Sequence, residues 1–177
     1  MNDKADIFVV GSTNGGLNWD GPYRVNSDST TNDQWQPVII VKPDGTKLFA
    51  GWYDRRNDAN NSLIQIHGAF ADLPLNTNSF ATNLLISTAQ FPPVFTGTND
   101  ILGAYDTAYP PHFDDCDSRC CGSYDGTYKA HMGDYDTAVS DNNYVYYTWS
   151  DKRNTSTNHA VTRNQADIRF IRVSWPR

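Results

Sequence analysis

All 20 acidic residues of this 177-residue chain are aspartates; glutamate does not occur. Glu, Leu, Ala and Lys fill helices, whereas Asp, Asn, Ser, Thr, Gly and Tyr favour turns and strands. The expected fold class is therefore all-β with many polar turns. The omission also bounds the chemistry, because a mechanism that needs glutamate must take it from outside this chain. Hydrophobic residues make up 38% and aromatics 13%, enough for one domain with a core and too aromatic for disorder. No apolar run approaches the roughly 18 residues of a membrane-crossing helix. Met1 to Asp6 lacks the apolar stretch of a signal peptide. A net charge of −6 argues against nucleic acid as a partner.

Short β-rich runs recur along the chain. Ile7–Val10 is followed by the turn residues Ser12-Thr13-Asn14-Gly15-Gly16 and then by Tyr23–Val25. Val38–Val41, a Pro43-Asp44-Gly45 turn and Lys47–Trp52 predict a hairpin, since Asp-Gly supplies the left-handed geometry of a tight turn. Leu63–Phe70 and Leu84–Ile86 predict two further strands. Thr137–Val139, Asp141-Asn142-Asn143 and Tyr144–Trp149 repeat the hairpin, with Ile168–Val173 after it.

These segments are internal repeats. Trp52-Tyr53-Asp54-Arg55-Arg56-Asn57 matches Trp149-Ser150-Asp151-Lys152-Arg153-Asn154, each placed at the end of a second strand. Ala5-Asp6-Ile7 matches Ala166-Asp167-Ile168, each at the start of a third. Four antiparallel strands repeated with short turns are the signature of propeller blades. The expected organisation is a single incomplete propeller domain over 1–177: a half blade at 1–30, a complete blade at 34–89, a long loop insertion at 90–133 and a three-stranded blade at 134–177. Propellers close with about 4–8 blades, so the chain is expected to be part of a larger propeller with blades upstream, or to close by self-association.

Ser12-Thr13-Asn14-Gly15-Gly16-Leu17-Asn18-Trp19 resembles the Asp-box, Ser-x-Asp-x-Gly-x-x-Trp, of bacterial neuraminidase repeats, with Asn14 standing where the box has Asp. The Trp-x-Asp-x-Arg-Asn segments and Gly133-Asp134-Tyr135 are similar to those of the same sialidase-like propellers. The resemblance implies a partial β-propeller of four-stranded antiparallel blades, in an extracellular, periplasmic or cell-surface protein. Within the box, Ser12, Asn14 and Gly16 are expected to hold the turn and Trp19 to pack between blades. The activity the family implies needs a tyrosine assisted by glutamate, an aspartic acid/base and three arginines on the substrate carboxylate. A chain without glutamate, and without the Arg-Ile-Pro segment of such enzymes, is not a self-sufficient sialidase.

In an up-and-down meander alternate turns emerge on opposite sides. The turns after second and fourth strands therefore share a front face with the insertion, and the Asp-box turn lies behind. Asp54, Arg55, Arg56, Asp151 and Arg153 are the front-face candidates for binding a glycan through its carboxylate or hydroxyls. The competing expectation is that each arginine pairs with a neighbouring aspartate to hold its loop. Asp114, Asp115 and Asp117, with Asp125, Asp134 and Asp136 nearby, would supply oxygen ligands to calcium or form a solvated acidic loop. Cys116 is expected to bridge Cys120 or Cys121 in an exported protein; zinc held by these thiols with His112 and His131 is the weaker alternative. Three functions follow: glycan or surface recognition, a portion of an exo-sialidase-type glycoside hydrolase whose catalytic glutamate lies elsewhere, and a structural surface-layer or adhesion scaffold.

Overall fold

The computed structural model describes residues 5–92, 105–106, 128–129, 136–158 and 161–177. The fold is all-β and antiparallel, with no helix among the described residues. Strands β1 (Phe8–Gly11) and β2 (Asp20–Arg24) form an N-terminal pair. β3 (Gln34–Val41), β4 (Lys47–Asp54), β5 (Gln65–Asp72) and β6 (Leu84–Leu85) form a central four-stranded meander. Strands β7 (Tyr105–Asp106) and β8 (Tyr128–Lys129) pair with each other inside the stretch read as an insertion. β9 (Thr137–Ser140), β10 (Tyr144–Asn158) and β11 (Val161–Ser174) make the C-terminal sheet in that order.

Local chemistry explains the hairpins. Between β3 and β4, Gly45 takes φ 74° and donates its N–H to the Lys42 carbonyl at 2.8 Å, while Asp44 accepts from the Thr46 N–H at 3.0 Å. Asp141 plays the same part before β10, accepting from the N–H groups of Asn143 and Tyr144, both at 2.7 Å. Those donors hold the Asp141 carboxyl below its usual range.

Packing is set by β4, which is buried along nearly its whole length. Its alternate residues face two different cores. Leu48, Ala50 and Trp52 join Ala69 and Ala71 of β5 against Ile7, Val9, Tyr23 and Val25 of the N-terminal pair. Phe49 and Tyr53 join Ile66 and Phe70 against Val145, Tyr147, Trp149, Ile171 and Val173 of the C-terminal sheet. The central sheet is thus covered on both faces, and the three sheets stack as consecutive layers. Each fully buried aromatic contributes about 2–3 kcal/mol through removal from water.

Two positions depart from the sequence expectation. Trp19 is 64% exposed and lies over its own turn, with a Cβ built on Gly16 falling 3.6 Å from its ring. It does not sit between sheets: the turn is exposed on both sides, so the indole covers backbone rather than core. Asp151-Lys152-Arg153-Asn154, expected as a loop after a strand, is strand. β10 runs on to Asn158 opposite β11, with a bulge between Asp151 and Asn154 absorbing the break in register.

Candidate functional site

The box turn is built as its residue types require. Ser12 Oγ accepts from the Gly16 N–H at 2.8 Å and Asn14 Oδ1 from the Asn18 N–H at 2.9 Å. Gly16 supplies φ 87°, which a residue with a Cβ adopts only under strain. These residues hold a turn.

The two Trp-x-Asp-x-Arg units have one geometry. Asp54, buried, accepts from the Arg56 backbone N–H at 2.7 Å and from Arg56 Nε and Nη2 at 2.9 and 2.7 Å. Asp151, also buried, accepts from the Arg153 N–H at 2.9 Å and from Nε at 2.8 Å, with Nη2 completing the fork. Each arginine therefore folds back on the aspartate two residues before it, as a bidentate charge-assisted pair. The remaining nitrogen of each reaches the neighbouring layer's connection. Arg153 Nη1 donates to Thr88 Oγ1 at 2.9 Å, just after β6. Arg56 Nη1 donates at 3.0 Å to Asn83 Oδ1, which also accepts from Ser27 N–H at 2.7 Å, just after β2. Arg55 is 2% exposed, 4.8 Å over the Trp35 ring and 3.8 Å from the Asp33 carboxylate. Of the two expectations for these arginines, the geometry realises the pairing with aspartate.

Two further residues belong to this scheme and escaped the sequence reading. Asn26 Oδ1 accepts from Ile7 N–H at 2.9 Å, and Ser87 Oγ accepts from Ile66 N–H at 3.0 Å. Each stands one residue past the first hydrogen bond after a sheet's last strand, Val25 N–H to Ile7 and Ile86 N–H to Ile66. Asn and Ser share only a short polar side chain, so no letter-by-letter match exposes the equivalence.

A polar node joins the central and C-terminal sheets. Asp136 Oδ1 accepts from Tyr53 OH at 3.1 Å and Ser150 N–H at 3.2 Å, and Oδ2 accepts from Gln36 Nε2 at 3.1 Å. Burial raises its carboxyl to about 6, more than these donors lower it. The Tyr53 phenol is pushed far up by burial and the adjacent Asp136 charge, as is that of Tyr147. A phenol held protonated in this way is the reverse of an activated nucleophile. Neither Tyr147 OH nor Trp149 Nε1 has a hydrogen-bond partner among the described residues.

Asp136 yields a pH prediction. Its folded value lies above the unfolded one near 3.8, so its contribution is favourable in acid and is lost as pH rises through about 6. After discounting for solvent screening, the Asp136→Asn variant is expected to gain about 1 kcal/mol on the wild type between pH 4 and 7. Urea unfolding of both proteins across that range measures the difference; a flat difference contradicts it.

Exposed polar residues lie beside the struts. Gln90 Nε2 donates to the Asn57 carbonyl at 3.2 Å, and Arg153 bonds Thr88 two residues before Gln90. Asn57, Thr88, Gln90 and Asn154 are exposed, and the Arg153 side chain retains 22% exposure. The exposed amides and hydroxyl here can exchange hydrogen bonds with vicinal hydroxyls. The residues proposed for calcium, Asp114, Asp115 and Asp117, and the cysteines Cys116, Cys120 and Cys121 lie outside the described residues. Among the described residues no group of three or more His, Cys, Asp or Glu is arranged to hold a metal. No helix among them is long and apolar enough to cross a membrane. No family model, curated protein or solved structure matches the chain.

Proposed function

We propose that this chain is a non-catalytic recognition segment of a sialidase-like Asp-box propeller, acting outside the cell on glycans or on the surfaces that carry them. Further blades come from the remainder of a larger protein or from other copies. The reading rests on one observation: both Trp-x-Asp-x-Arg units close on themselves in the same way. Arginines so engaged are struts that sew layers together, and the ligand surface moves to the exposed neighbours Asn57, Thr88, Gln90 and Asn154. Sugar hydroxyls are the chemistry that such exposed amides and a hydroxyl fit. Tyr53, held protonated by burial beside Asp136, does not supply the activated nucleophile that the hydrolase alternative needs.

A glycan array read with the intact chain and with Gln90→Ala and Asn57→Ala tests the reading. Wild-type binding is expected to fall about tenfold in each variant, the loss of one or two ligand hydrogen bonds. Binding unchanged by both substitutions would discard this surface. No binding to any glycan would leave the structural scaffold as the function.

A further inference from the structure

The C-terminal sheet presents an uncovered face. Alternation turns Val145, Tyr147 and Trp149 inward and Tyr144, Tyr146 and Thr148 outward, and β11 turns Ile168, Phe170 and Arg172 the same way. Ile168 is 84% exposed, Phe170 60% and Val139 58%. The Tyr146 and Phe170 rings stack at 6.2 Å, and the Arg172 guanidinium lies 4.5 Å over Tyr144. Contiguous apolar surface of this kind marks an interaction site.

The internal repeat shows what covers such a face. Ile7 and Ile168 occupy the same place in Ala-Asp-Ile. Ile7 is buried in the core that holds Leu48, Ala50, Ala69 and Ala71 of the next layer, whereas Ile168 is exposed and has no such layer above it among the described residues. The covering face of a layer is the one bearing Leu48, Ala50 and Trp52 in the central sheet, or Val145, Tyr147 and Trp149 in the C-terminal one. On the N-terminal pair that face carries Phe8 and Val10, both exposed. Arg24, opposite Phe8, is neutralised by Asp6 at 2.6 Å. The two outer layers of the stack therefore carry the two halves of the contact made twice within it.

We infer that copies of this chain stack head to tail, the outer face of the C-terminal sheet of one copy receiving the Phe8 and Val10 face of the next. The inference rests on the reading of the sheets as consecutive layers of one stack. Its contact continues the interfaces already present within the chain. A two-fold contact between two C-terminal faces would instead leave the Phe8 and Val10 face uncovered in both copies. Head-to-tail contact is heterologous, so its product is a closed ring or an open fibre.

Sedimentation equilibrium of the full chain tests this with two variants, Ile168→Asp and Phe8→Asp. The wild type is expected to associate below about 100 μM. Each variant alone should associate at least about tenfold more weakly, because a charge sits in the contact. An equimolar mixture should recover a one-to-one dimer, since each variant keeps one intact face, and that recovery also shows that both variants fold. A monomeric wild type, a Phe8→Asp protein that still self-associates, or a mixture that stays monomeric would each overturn the inference. Amide exchange in β4, followed in the same samples, separates the two levels. Slow exchange in a monomeric protein leaves the internal stack standing, while fast exchange removes the layered reading itself.

Discussion

Asp54→Ala is expected to destabilise the chain by about 3–5 kcal/mol, the cost of breaking a buried ion pair by removing one partner. Asp54 is buried and accepts from four donors: the Trp52 indole Nε1 at 2.7 Å, the Arg56 backbone N–H, and Arg56 Nε and Nη2. Alanine leaves the indole N–H orphaned inside the core and a guanidinium with little solvent to turn to. Asp151→Ala should cost less, about 1–2 kcal/mol, for two structural reasons. Trp149 Nε1 does not bond Asp151, and the Arg153 side chain is more exposed than that of Arg56. Chemical denaturation of both variants reads the difference. Equal and small losses would mean that the arginines are held only weakly and remain free to grip a ligand.

The second large effect is predicted at a glycine. A Cβ added to Gly51 would fall 2.7 and 2.9 Å from two ring atoms of Tyr147 and 3.2 Å from Phe49. Tyr147 belongs to the C-terminal sheet and is fully buried, so its ring has no free direction in which to move. Gly51→Ala should therefore cost about 3 kcal/mol by overpacking. In a Tyr147→Leu background the added methyl group loses its obstacle, and the same substitution should cost under about 1 kcal/mol. Gly68→Ala is the control: its clash is with Phe49 and the Ala50 carbonyl, inside the central sheet. Its cost should persist whatever stands at position 147. Thermal unfolding of the single and double variants measures the coupling, and additive losses would mean that the two sheets are not pressed together at this point.

The parts of the fold legible in the sequence were those governed by neighbouring residues. Asp44-Gly45 and Asp141-Asn142-Asn143 announce hairpins because a turn's geometry is local, and both turns close as their chemistry requires. The repeated Trp-x-Asp-x-Arg was equally visible, but its purpose was not. Whether an arginine faces a ligand or its own aspartate depends on a bend of two residues and on burial from the next layer. Composition alone ends β10 at Trp149, because Asp151-Lys152-Arg153-Asn154 has the make-up of a turn. Pairing with β11 carries it through, with the bulge taking up the irregularity. Trp19 was misplaced for the complementary reason: a tryptophan is usually a core residue, and this one caps an exposed turn. The tie made by Asp136 links segments 100 and 83 residues apart, through Gln36 and Tyr53, and no local pattern announces it.

Residue-resolved amide exchange at neutral pH bears most directly on the central claim, that three sheets form consecutive layers with the central one covered on both faces. In dilute, monomeric protein the slowest amides should be those of β4 from Leu48 to Tyr53, exchanging only on global unfolding, with β1 and β11 faster because each then has an open outer face. A β4 that exchanges as fast as β1 or β11 would contradict the stack.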